Sequence, residues 1–214
     1  MPAELDKSVG SGCNVEVLRS LPASDAVEFM RRQGVRGDSG EISDLCGQYG
    51  NHPLALRLLG GVIAYDPQTP ADLAVAARFD AVPVLIGRKN HILQIAYEVL
   101  QPNERLLISK LAAFRAAVPF EGVQQISPFG AAVNLKKALV ILRERGLLHI
   151  QRNVGKYDMH PVVREFAFRR LVDKKGTARR LVNYFGNVPI PAEISSLEDI
   201  EPVKCSIKWR VPVI

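Results

Sequence analysis

Leu148-His149-Ile150-Gln151, then Arg152, then Asn153-Val154-Gly155-Lys156, then Tyr157-Asp158-Met159-His160-Pro161: residues 148–161 decide how the chain is read. The first four residues alternate apolar and polar, as a half-buried strand does. Asn-Val-Gly-Lys has the composition of a hairpin tip, Tyr157 to Met159 reads as the return strand, and Pro161 suits the first turn of a following helix. A short hairpin is therefore expected inside a sequence whose other periodicities are helical.

Upstream of it, Ile92, Leu93, Ile95, Ala96, Val99 and Leu100 form one amphipathic stripe, broken at Gln101-Pro102-Asn103-Glu104. Leu106, Leu107, Ile108, Leu111 and Phe114 form the next. Beyond a kink at Pro119-Phe120 come a short helix near Val123 to Ile126 and a longer one from Leu135 to Arg145, stopped by Gly146. Downstream, Val162, Val163, Phe166, Ala167 and Leu171 continue a helix from Pro161. Helices followed by a small hairpin are the order of a winged helix, a variant of helix-turn-helix.

The N-terminal half is helical too. Residues 1–14 read as a loose, Gly- and Ser-containing leader, and Val15-Glu16-Val17-Leu18 as a short apolar run fit for a strand. Leu21-Pro22-Ala23-Ser24 opens a helix, with Ser24 as candidate cap and Ala26, Val27, Phe29 and Met30 as its stripe. After the turn-rich Gly34 to Gly40, a second helix carries Ile42, Leu45 and Cys46 and ends at Gly50. Pro53 then begins a third, apolar nearly all round through Ile63 and closed by Asp66-Pro67-Gln68-Thr69-Pro70. Past Asp173 a helix fits Ala178 to Phe185. Ser195-Ser196-Leu197-Glu198 resembles a capping box, and Lys204 to Ile214 shows no helical period and reads as a mobile end. The fold class expected is mainly α: a small helical domain over 15–87, a winged-helix domain with a short β-hairpin wing over 88–173, and a truncated start of helical repeats over 174–214.

Composition narrows the function classes. With 214 residues, 47% hydrophobic and 23% charged, the chain can bury one large core or two small ones and is not a disordered sequence. Three scattered cysteines (Cys13, Cys46 and Cys205) suit a reducing compartment and offer no zinc framework. The longest apolar stretch, Leu54 to Ala64, is interrupted by Arg57 and is too short to span a bilayer, and the N-terminus lacks a signal-peptide core. A cytoplasmic protein with no membrane partner is expected. The net charge of +6 is uneven: residues 134–180 hold 13 Lys and Arg against 4 Asp and Glu. Such a basic half suits a solvated helix face, nucleic acid, an acidic partner or phosphate.

No self-contained catalytic site is legible. Gly155-Lys156 is followed by tyrosine and preceded by no glycine at phosphate-loop spacing. Val62-Ile63-Ala64-Tyr65-Asp66 superficially matches a magnesium-binding strand, but its place at the end of a helical pattern makes it a helix terminus. His52, His91, His149 and His160 form no metal-ligand pair, and no serine sits in a nucleophile elbow. Two junctions remain. Gly50-Asn51-His52-Pro53-Leu54-Ala55-Leu56 sets a proline ring at a helix N-terminus, and Asp158-Met159-His160-Pro161 sets a histidine between strand and helix. Each is either an ordinary structural junction or a contact to a flat base and to a phosphate.

In their order, these junctions and the helices around them resemble the C-terminal part of the STAND class of signalling ATPases, NB-ARC type, over roughly residues 15–173. Gly50 to Leu56 looks like the family's Gly-x-Pro motif and Tyr157 to His160 like its Met-His-Asp motif. Val17-Leu18 through Phe29 is similar to the segment joining the last nucleotide-domain strand to the helical domain. The resemblance implies that Pro53 packs on adenine and that His160 contacts the β-phosphate of ADP, holding a closed resting state. Pro161 stands where the family has its aspartate, which leaves no latch role for that side chain. Residues 178–203 resemble the lead-in to tetratricopeptide-type repeats. The family's phosphate-binding domain is missing, so the chain reads as a fragment. It would be no enzyme by itself and would meet ADP or ATP only within an intact protein, partnered by a nucleotide-binding domain in cis or trans and by proteins at a repeat sensor. The rival reading is a winged-helix DNA-binding regulator, with Lys136, Lys137, Arg143 and Arg145 on the groove helix and Arg152 and Lys156 on the wing. An interaction scaffold with a basic face is the third.

Overall fold

The computed structural model describes residues 20–78, 85–151 and 154–188. The leader, the run at 15–18, Arg152, the capping-box sequence at 195–198 and the segment 204–214 lie outside the described residues.

Among the described residues three helices come first. In α1 (Ala23–Arg32) the carbonyl of Pro22 already accepts the Ala26 N–H at 2.9 Å, so the helix starts at Pro22, and Ser24 lies within the first turn instead of capping it. Its hydroxyl donates to the Asp25 carboxylate. Asp38 caps α2 (Ser39–Gln48), its carboxylate accepting from the N–H groups of Gly40 and Glu41. Gly50 (φ 62°) and Asn51 (φ 49°) then turn the chain through the left-handed region and deliver Pro53 to the first position of α3 (Pro53–Ala64). Eight of the twelve residues of α3 are buried, as expected of an all-round apolar helix, so it runs through the interior. It ends at Ala64. Asp66 is a turn residue whose carboxylate accepts from the Gln68 and Thr69 N–H groups, not a strand aspartate. A 3₁₀ helix, Leu73–Arg78, follows.

Four helices precede the hairpin: α4 (Leu85–Glu98), α5 (Pro102–Leu111), α6 (Phe120–Ile126) and α7 (Ala132–Glu144). At α5, Gln101 and Glu104 form a reciprocal capping box, with the Glu104 carboxylate accepting the Gln101 N–H at 2.8 Å. Phe114 falls in a buried turn beyond α5 instead of on its stripe. Gly146 (φ 75°) ends α7, and strands β1 (His149–Gln151) and β2 (Lys156–Asp158) pair antiparallel with His149 opposite Asp158. Val118 bridges the outer edge of β2, exchanging two backbone hydrogen bonds of 2.8 Å with Tyr157, so the hairpin is tied back to the chain between α5 and α6. Two helices follow the hairpin among the described residues, α8 (Pro161–Arg169) and α9 (Lys174–Gly186). Among the described residues the architecture is mainly helical with one small two-stranded sheet, the fold class that the sequence implies. Buried side chains from Ala26 in α1 to Leu181 in α9 form one continuous apolar cluster. Among the described residues no helix is long and apolar enough to cross a membrane.

Candidate functional site: a cleft between the start of α3 and the hairpin

Two glycines let α3 approach the turn between α7 and β1. A Cβ on Gly61 would stand 2.6 Å from the Arg145 carbonyl oxygen, and one on Gly146 2.7 Å from the Arg57 Cγ. Across this contact the Arg57 guanidinium donates to the Arg143 carbonyl at 2.9 Å and to the Gln33 side chain at 3.1 Å, while Arg145 donates to the Tyr65 carbonyl at 3.1 Å. The start of α3 is thereby fixed relative to the hairpin.

Between them lies a cleft of about 900 Å³ whose walls include Pro53, Arg57, Arg143, His149 and His160. The two junction residues singled out in the sequence, one from each end of the fold, share this cavity. Pro53 is exposed at the first position of α3. His160 caps α8: its Nδ1 accepts the Val162 N–H at 3.2 Å, which in the neutral ring leaves the proton on Nε2. Burial and then the charge of His149 hold the His160 pKa below the ordinary histidine value, favouring that neutral, Nε2-donating form.

Behind His160 stands Asp158. Its carboxylate accepts the Met159 N–H at 2.8 Å and pairs with Arg164 at 2.5 Å, and its second oxygen lies 3.6 Å from the His149 Nε2. Arg164 also donates to the Phe114 carbonyl, so one guanidinium ties the turn carrying Met159 and His160 to the end of α5. Met159 is buried and anchors the same turn in the core.

The remaining candidates scatter. Lys136 lies over the Phe120 ring at 5.5 Å and Lys137 is exposed. Arg143 faces the cleft, Arg145 is drawn to the end of α3, and Lys156 lies in β2 opposite Gln151. Arg57, His149, Asp158 and Arg164 were not picked out as site residues. Arg57 left a trace, as the lone charge in the apolar run 54–64. The Asp158–Arg164 pair spans a strand-to-helix turn that no periodicity signals. Among the described residues no group of His, Cys, Asp and Glu is placed to hold a metal ion.

No family model matches the chain, and no curated protein matches it. Among solved structures, it is similar to the crystal structure of a Signal Transduction ATPase with Numerous Domains (STAND) protein with a tetratricopeptide repeat sensor from Pyrococcus horikoshii. The TM-score is 0.63 at 22% identity, over 90% of this chain and 25% of that one. The chain has a STAND-like fold. It spans a quarter of the length of that STAND protein, and at this identity the likeness concerns the fold alone.

Proposed function

We propose that this chain is a regulatory, non-catalytic segment of an NB-ARC-type STAND signalling ATPase, which closes over ADP held by a phosphate-loop domain. The observation that carries this reading is the cleft shared by Pro53 and His160. The proline ring offers an apolar face to adenine, and the neutral His160 donates from Nε2 to the β-phosphate. A contact made in the closed state and lost in the open one is what a switch requires. Residues beyond Asp173 would lead into a repeat sensor that meets protein partners, and the setting would be cytoplasmic.

By itself this machinery is weak. One charge-assisted hydrogen bond contributes roughly 1.5–3 kcal/mol and a ring contact about 1 kcal/mol. Micromolar affinity needs about 8 kcal/mol after offsetting the freedom lost on association. The isolated chain is therefore expected to hydrolyse no ATP and to bind ADP no more tightly than about millimolar. The test is calorimetry of ADP with a matched phosphate-loop domain, with and without this chain. Tighter ADP retention in the mixture, lost with His160→Ala, supports the reading. Micromolar ADP affinity of the chain alone, or a mixture indifferent to His160→Ala, contradicts it.

The DNA-binding reading is not adopted. The Arg145 side chain is turned to the end of α3, Arg143 lines the cleft, and much of α7 (Leu135, Ala138, Leu139 and Leu142) is buried in the core. Flat binding curves with random duplex DNA at low salt are expected, whereas steep salt-dependent binding would restore that reading.

A further inference from the structure

We propose that a second cavity, at the opposite end of α3 from Pro53, receives an arginine side chain of a protein partner, its guanidinium held between Glu104 and Glu144. The cavity, of about 400 Å³, lies where the end of α3, the turn from α4 to α5 and the last turn of α7 meet. It shares no lining residue with the cleft, so the inference stands independently of the nucleotide reading. Among the described residues its walls carry three carboxylates, Asp66, Glu104 and Glu144, against one guanidinium, Arg145. Asp66 is already satisfied by the N–H groups of Gln68 and Thr69 and by Arg78 at 3.2 Å. Glu104 decides the matter. It is only 7% exposed, one of its oxygens accepts the Gln101 N–H in the capping box, and the other accepts no hydrogen bond among the described residues. A carboxylate buried to this extent with half its acceptor capacity unused calls for a cation. Glu144, half-buried on α7, likewise has no hydrogen bond or ion pair among the described residues.

The surroundings select a guanidinium. The C-termini of α3, α4 and α7 converge here, and the negative ends of their helix dipoles favour a cation. The N-terminus of α5, which also reaches the cavity, is closed by its capping box. Two guanidiniums of the chain already bind carbonyls at these ends: Arg145 donates to Tyr65 at 3.1 Å, and Arg105 to Leu100 at 2.9 Å. Among the described residues neither forms an ion pair with Glu104 or Glu144, so the two glutamates are left for a third. The exposed Tyr65 and Val99, with Ile141, give the same cavity an apolar wall for the stem of the side chain. A flat guanidinium both stacks on an aromatic ring and bridges two carboxylates, which a compact ammonium does less well. The chain as a whole carries +6, so attraction of a cationic group to this place is local and not an effect of bulk charge.

The full chain would be titrated with the peptide acetyl-Gly-Arg-Gly-amide, its lysine counterpart and its citrulline counterpart, the last a neutral isostere of arginine, following the Tyr65 ring protons by NMR. The arginine peptide should bind at about 1 mM and shift Tyr65, the lysine peptide roughly threefold more weakly, and the citrulline peptide not measurably. Glu104→Gln and Glu144→Gln should each weaken arginine binding about fivefold. Glu165→Gln removes a carboxylate from the exposed pair with Arg169 on α8 and should leave binding unchanged, which controls for overall charge. Glutamine serves at the third position of a capping box as glutamate does, so Glu104→Gln keeps α5 capped, and urea midpoints check that each variant is folded. Should Glu104→Gln unfold, Glu144→Gln carries the test alone. If the arginine peptide leaves Tyr65 unmoved, if the lysine or citrulline peptide binds as well, or if Glu144→Gln binds arginine like the parent, the site is refuted.

Discussion

Replacing Gly61 by alanine asks whether the close approach of α3 to the turn after α7 holds the cleft together. In an unencumbered helix, glycine to alanine stabilises by about 1 kcal/mol. At Gly61 the new methyl would stand 2.6 Å from the Arg145 oxygen and 2.7 Å from its carbonyl carbon and Cα, against an ordinary contact of roughly 3.4–4 Å. The obstacle is backbone and cannot rotate aside. Arg145 is also anchored to Tyr65, and the next residue, Gly146, packs against Arg57. Overpacking costs about 1–3 kcal/mol, and against backbone at this distance the upper part of that range applies, about 2–3 kcal/mol; set against the propensity gain it leaves a net loss of ~1–2 kcal/mol. For a chain of this size that lowers Tm by roughly 2–8 °C. Gly47→Ala, in α2 with nothing within 4 Å of the added Cβ, is the control and should raise Tm slightly. Thermal and urea unfolding of both variants provide the comparison. If Gly61→Ala were as stable as the parent, the α3–turn contact would be yielding, and the fixed cleft would lose its foundation.

Removing the charge of Asp158 with Asp158→Asn should destabilise by about 1–3 kcal/mol in urea, because it strands Arg164, whose side chain is 18% exposed. Glu28→Gln at the solvent-exposed pair with Arg32 should change stability by less than ~0.5 kcal/mol, and equal effects at the two sites would remove the special role of Asp158. The His160 pKa is depressed on folding, so the unfolded chain binds more protons and stability must fall as pH drops through the histidine range. Tm measured against pH should show that acid-side loss in the parent and a smaller one in His160→Asn; identical profiles would place the titration elsewhere. Burial pushes the Cys46 thiol up to about 11, so in a Cys13→Ser/Cys205→Ser background a thiol reagent at neutral pH should react only as fast as the chain unfolds. Rapid labelling of the native chain would show that Cys46 is accessible.

Local rules made much of this fold legible. Pro53 after Gly50-Asn51 announced α3, because the left-handed turn and the proline at the first helical position are both short-range requirements. The hairpin followed from Gly155 and the alternation around it, and Gly146 from its place after an apolar stripe. What stayed hidden is non-local. The Val118 bridge to Tyr157 is a single residue long and leaves no pattern. Gly61 reads as a weak helix residue until Arg145 is seen against it, and Asp158 as a strand end until Arg164 closes on it. Both junction motifs were visible, and that one cavity joins them was not, since it depends on α3 packing against a turn far along the chain.

Pro53 and His160 are proposed to face one bound nucleotide, and contacts between ADP and those two side chains test this most directly. With ADP at tens of millimolar, above the roughly millimolar limit set on its affinity, intermolecular NOEs should run from the adenine protons to the Pro53 ring, while the His160 ring protons shift with phosphate occupancy. NOEs from adenine to the exposed face of α7 around Lys137, with Pro53 and His160 unmoved, would contradict the account.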